Sequence, residues 1–214
     1  MLPRGQRMNS SSAQRVNGRN AMILILLLTL TTMVASGQGA SQEFYRQSLK
    51  INNAGMMVLG SWALANITIG AYGWNRYDGA QQYFHQMNLF WNGVNLAIAG
   101  FALYSNLSAD YSAWDMEKIL DRQWKTQRLF LINAGLDVVY MGTGWLLKRI
   151  AYKYPKQETR LTGYGNSVIL QGAFLFVFDL VLYAVQRSHR MDFLQSLAFQ
   201  PMEGAWGLSL AMKF

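Results

Sequence analysis

Apolar residues fall in four long blocks, at positions 53–74, 87–104, 129–147 and 167–185, and each block carries an amide or an acid near its middle. A helix needs ~17–25 largely apolar residues to cross the ~30 Å hydrocarbon core of a bilayer. A core helix of a soluble bundle shows a charged face, and these blocks do not, so a soluble four-helix bundle is the weaker alternative. The pattern predicts an all-α fold, a bundle of four transmembrane helices. Polar side chains inside such spans face protein, water or one another. The bundle is therefore expected to be polar inside.

The ends of the chain follow other patterns. Residues 21–35 form a 15-residue apolar run behind Arg4, Arg7, Arg15 and Arg19, with the small residues Ala35, Ser36 and Gly37 at its end. This is the layout of a secretory signal peptide cleaved after Ser36 or Gly37. The alternative is an uncleaved anchor and a fifth helix. The expected division is a signal peptide at 1–37, a membrane domain at 38–186 and a tail at 187–214. In the tail, Trp206, Leu208, Leu210, Met212 and Phe214 alternate with small or polar residues. Period two predicts a strand, paired with 194–199 across the turn 200–204 as a short β-hairpin. Between the second and third spans, 112–128 reads as a separate short helix capped by Ser112, with Trp114 and Trp124 at headgroup level.

Only 14% of the 214 residues are charged, against about 25% in soluble domains, while 51% are hydrophobic. The net charge of +8 would suggest nucleic acid in a soluble protein. Here the basic residues flank the spans and read as topology signals, so nucleic acid is not an expected partner. Lys148, Arg149, Lys153, Lys156 and Arg160 lie between the third and fourth spans. They predict a cytoplasmic turn there, with the mature N-terminus and the C-terminus on the periplasmic side of a bacterial inner membrane. The expected surroundings are membrane lipids, and a second copy or another membrane protein is the candidate for association. The chain has no cysteine, which excludes disulfides and thiolate chemistry. His85 and His189 fall at opposite ends of the spans and cannot share a metal site or a triad. No metalloprotease, nucleophile-elbow or phosphate-loop motif is present. Neither a metal nor a cofactor is expected, and an enzyme is the weaker class.

The spans repeat. Asn53-Ala54-Gly55 and Val58 match Asn133-Ala134-Gly135 and Val138 at an offset of 80. Asn92-Gly93, Leu96 and Leu103-Tyr104 lie over Gln171-Gly172, Leu175 and Leu182-Tyr183 at an offset of 79. This suggests two tandem helical hairpins in parallel orientation. The shared glycines Gly55, Gly93, Gly135 and Gly172 are expected to let helix backbones approach.

Two sets of polar residues carry the candidate chemistry. Asp137 and Asp179 lie at similar depth on the third and fourth spans, and no Lys, Arg or His lies in any span. Two carboxyls in low dielectric do not both ionise readily, so one is expected to keep its proton. They are candidates for a proton or ion site, or for a structural acid bonded to Asn133, Tyr140 or a backbone carbonyl. Asn92 and Asn95 share a face of the second span; with Asn66 they predict an amide cluster, to which Asn133 and Gln171 are further candidates.

The runs Val58-Leu59-Gly60-Ser61-Trp62-Ala63-Leu64-Ala65-Asn66-Ile67, Tyr83-Phe84-His85-Gln86-Met87-Asn88 and Trp91-Asn92-Gly93-Val94-Asn95-Leu96-Ala97-Ile98-Ala99-Gly100 resemble a family of uncharacterised four-helix membrane proteins of diderm bacteria. The resemblance covers about 42–186 and implies the bundle fold without implying an activity. The expected function is a structural or accessory membrane component; the alternative is a small proton- or ion-coupled channel or carrier using Asp137 and Asp179.

Overall fold

The computed structural model describes residues 10–198, with side-chain surroundings given for 22–23 and 39–197. Four helices follow one another: α1 (Ser10–Arg76), α2 (Gly79–Leu107), α3 (Met116–Ala151) and α4 (Glu158–Ala198). Among the described residues there is no strand. α1 and α2 pack as one antiparallel hairpin and α3 and α4 as another, and α2 lies against α4 to join them.

The breaks between helices have local causes. Gly79 takes φ +62° after Asp78, a left-handed conformation that lets the chain reverse within two residues. Pro155 opens a 3-10 turn that leads into α4; it removes an amide donor where a helix start needs none. Asp115 caps α3 by accepting from the Lys118 backbone amide at 2.8 Å.

Three regions differ from expectation. The residues 112–128 are not a separate helix. Met116 onward is continuous with the third span, because Ile119, Gln123, Gln127, Phe130, Ala134 and Asp137 form one unbroken buried stripe. The cap is Asp115 rather than Ser112. Residues 194–198 are the last turn of α4 rather than a strand. His189 and Phe193, four apart on α4, both stack on Phe44, at 4.6 and 4.2 Å, which holds that end helical. The rest of the expected hairpin lies outside the described residues. Among the described residues three helices rather than four are long and apolar enough to cross a membrane: the Gly39–Arg76 part of α1, α3, and Pro155–Leu197. α2 is ~43 Å long at 1.5 Å per residue, but Asn88, Asn92 and Asn95 lower its apolar content. α1 runs unbroken through the expected cleavage region at 36–37.

The bundle is polar within and apolar without. Thirteen polar residues are buried against twelve apolar ones among the described residues. Val58, Leu64, Phe90, Phe101, Val139, Val177 and Val181 are exposed. An aqueous solvent would select the opposite arrangement. In hydrocarbon, apolar burial gives helices no drive to associate, so close packing and polar contacts hold them. At the crossing of α3 and α4 the backbones touch: a Cβ on Gly144 would stand 2.7 Å from the Gly165 carbonyl oxygen, and one on Gly165 would stand 2.6 Å from that of Gly144. Gly55 and Gly172 also sit at helix contacts, against Leu182 and Met141. Gly93 and Gly135 do not, since both face open space.

Candidate functional site

The inward stripe of α2 repeats as Asn88, Asn92, Asn95 and Ala99, all buried. This spacing keeps the amides on one face, and that face meets α1 and α4. Trp62 on α1 donates its indole N–H to Gln171 Oε1 on α4 at 3.0 Å. Gln171 donates to Asn88 Oδ1 on α2. Asn88 donates to Asn66 Oδ1 back on α1 at 2.9 Å. The circuit thus closes through three helices. Asn92 donates to the Asn88 carbonyl at 2.8 Å, and Asn95 reaches Asn92 Oδ1 at 3.4 Å. The predicted Asn66, Asn92 and Asn95 belong to one network with Gln171, and Asn88 is the hub between them. Sequence reasoning missed that role, although the i, i+4, i+7 spacing of 88, 92 and 95 was its signal. Beside the circuit, the Trp62 ring stacks on Phe174 at 3.9 Å.

A second network went unpredicted. Gln186 on α4 donates to the Ser48 carbonyl at 2.9 Å and accepts from the Ser48 hydroxyl at 2.8 Å. Gln123 and Gln127 on α3 both donate to the Gln186 carbonyl, at 2.9 and 3.1 Å. These side chains lie outside the four apolar blocks, Gln123 and Gln127 in the stretch 112–128 that reads as a separate short helix. Their signal is the i, i+4 pair of glutamines on α3.

Asp137 on α3 and Asp179 on α4 meet between the networks. They are 2% and 5% exposed, and their carboxyls are near enough to interact with each other. Two neighbouring carboxyls held away from water do not both ionise readily. Asn133 on α3 also reaches the Asp179 carboxyl. Asp137 Oδ2 is buried, and among the described residues no donor serves it. Among the described residues no three His, Asp or Glu side chains gather as metal ligands.

The pair lines a cavity of about 300 Å³. Met56 and Leu59 of α1 and Leu175 and Phe178 of α4 form its floor, and α2 and α3 form its walls. Val94, Ile98 and Leu136 are on these walls and are themselves exposed. The cavity therefore opens sideways between α2 and α3, towards the apolar exterior. Trp91 and Tyr140 meet edge to face across the walls at 5.0 Å. Asn95 also lines the cavity, so the amide network ends where the acid pair begins.

The histidines lie at opposite ends. His85 stacks on Tyr77 at 5.3 Å and packs against Gly73. Burial lowers its pKa below the ordinary 6.5. His189 Nε2 lies 2.9 Å from the Phe44 carbonyl oxygen. Neither histidine is among the residues that line the acid cavity.

No curated protein and no solved structure matches the chain. One family model matches residues 58–180, more than half of the chain. The matched stretch holds the acid pair and the Asn88 circuit, and it stops short of Ser48 and Gln186. The chain belongs to DUF6992, a family of unknown function.

Proposed function

We propose that the chain is an integral membrane protein in which α2 joins the three apolar helices as a fourth span. In this reading Asp137 and Asp179 take up and release a proton inside the hydrocarbon, as the core of a small proton-coupled carrier. One observation carries it: two buried acids from different helices line the same cavity, whose lining holds no Lys, Arg or His to offset their charge. Intramembrane acids of this kind are characteristic of proton and ion pathways. The basic turn around Lys148, Arg149, Lys153 and Lys156 supports a cytoplasmic position for the turn end of both hairpins. An inner-membrane location, with residues 1–37 removed as a signal peptide and both mature termini periplasmic, completes the proposal.

The test is infrared difference spectroscopy of the full chain in lipid, with proton flux measured in proteoliposomes. The expected result is a protonated-carboxyl band at neutral pH that disappears in Asp137→Asn and in Asp179→Asn, together with reduced flux in both variants. An absent band, or flux unchanged in both variants, refutes the reading. A structural or accessory role is the second reading. The closed amide circuit favours it, because its donors and acceptors satisfy one another and need no substrate. Under that role both variants would keep the wild-type flux.

A further inference from the structure

We propose that the cavity between α2 and α3 binds a lipophilic amine in its ammonium form, entering from the membrane, with its charged end on Asp137 and Asp179 and its apolar body against Trp91, Tyr140 and Phe178. This rests on the reading of the acid pair as a protonation site and adds the class of ligand.

Charge and hydrogen bonding both point to it. With one proton shared, the pair keeps one negative charge in a site without a counter-cation. Asn133 reaches Asp179 and not Asp137, and among the described residues no donor reaches Asp137 Oδ2. An ammonium group supplies both the positive charge and an N–H donor. The rest of the lining is mainly aliphatic and aromatic, and aromatic faces attract cations most where water is excluded. The exposed Val94, Ile98 and Leu136 make the way in apolar, which favours a molecule already dissolved in the membrane over a hydrated inorganic ion. The volume of about 300 Å³ suits a small amphiphile rather than a whole phospholipid.

Ammonium and proton compete for the same carboxyl oxygens, so binding weakens as pH falls. Apart from the two acids, the polar residues that line the cavity are Asn95 from α2 and Asn133 and Tyr140 from α3, with Trp91 from α2. Tyr140 is the one titratable residue among them, and none is a fixed charge.

The test is equilibrium dialysis of labelled 2-phenylethylamine against the full chain in micelles, with empty micelles as the blank. Unlabelled 2-phenylethylamine, 2-phenylethanol and n-propylbenzene serve as competitors of matched shape. The expected result is saturable binding displaced best by the amine and weakened at acid pH. The double variant Asp137→Asn/Asp179→Asn, which removes the negative charge altogether, should lower the affinity about 30-fold or more, the loss typical of removing one member of a buried charge pair. Circular dichroism checks that this variant folds. Val94→Trp, which fills the mouth of the cavity and leaves both acids in place, should abolish binding independently. Equal displacement by the alcohol or the hydrocarbon, binding retained in either variant, or no saturable binding overturns the inference. The carboxyl infrared band separates the two failures: a band present without amine binding removes this inference alone, whereas a missing band removes the protonation site as well.

Discussion

Truncating Asn88 tests whether the amide circuit holds the bundle together. The side chain donates to Asn66 Oδ1 at 2.9 Å and accepts from Gln171 and, at 3.3 Å, from Asn92. It is 1% exposed, so water cannot replace these partners in Asn88→Ala. Hydrogen bonds between membrane helices contribute about 0.6 kcal/mol each on average and about 1.7 kcal/mol at most. The Asn92 contact is long and lies within one helix, so two interhelical bonds dominate. The sum is about 1–2 kcal/mol, with a ceiling of about 3–4 kcal/mol. Reversible unfolding in mixed micelles, titrated with dodecyl sulfate and followed by circular dichroism, measures it. A loss below about 0.5 kcal/mol would refute the reasoning and leave cohesion to helix packing alone. A double-mutant cycle with Gln171→Ala isolates the α2 to α4 bond; its coupling should be about 0.6 kcal/mol or more. Zero coupling would mean that the two amides are neighbours without energetic consequence.

Other perturbations address other parts of the bundle. Gly165→Leu forces a side chain into the Gly144 carbonyl at the crossing of α3 and α4; it should cost about 3 kcal/mol or more and broaden the size-exclusion peak, whereas Gly135→Ala at an open position should leave the peak unchanged. Asp115→Ala removes the cap on the Lys118 amide and should cost about 1 kcal/mol, read as faster hydrogen exchange in the first turn of α3. His85 is held below its ordinary pKa by burial. The unfolded chain therefore binds more protons than the folded one as pH drops through about 6.5, and stability should decrease on acidification. The melting temperature should fall between about pH 7.5 and 5.5, and His85→Gln should flatten that dependence. An equal slope in the variant would assign the effect to another group.

Much of the architecture was legible in the chain because membrane insertion is read from long apolar runs. The helical character of all four blocks, their rough extents and the isolation of Asp137 and Asp179 from any basic residue follow from local composition. The mistakes occurred where the apolar content changes while the helix continues. The two tryptophans and the charges of 112–128 suggest a separate interfacial helix, yet the buried amides of Gln123 and Gln127 carry α3 unbroken into the bundle. Alternation in the tail suggested a strand at 194–199, but two aromatic contacts with Phe44 hold α4 helical through 198. Asn88 was visible as a residue and invisible as a hub, since its role depends on Gln171, which stands 83 positions away.

The amino-acid order alone determined that this protein is helical, apolar outside and polar inside, because periodicity and hydropathy are properties of each segment. Only the tertiary structure decided which glycines touch, which amides bond, and that two acids on neighbouring helices meet at a cavity opening sideways between α2 and α3. A helical repeat says which residues share a face. It does not say which face lies opposite, since that depends on how the helices cross and how deep each one sits.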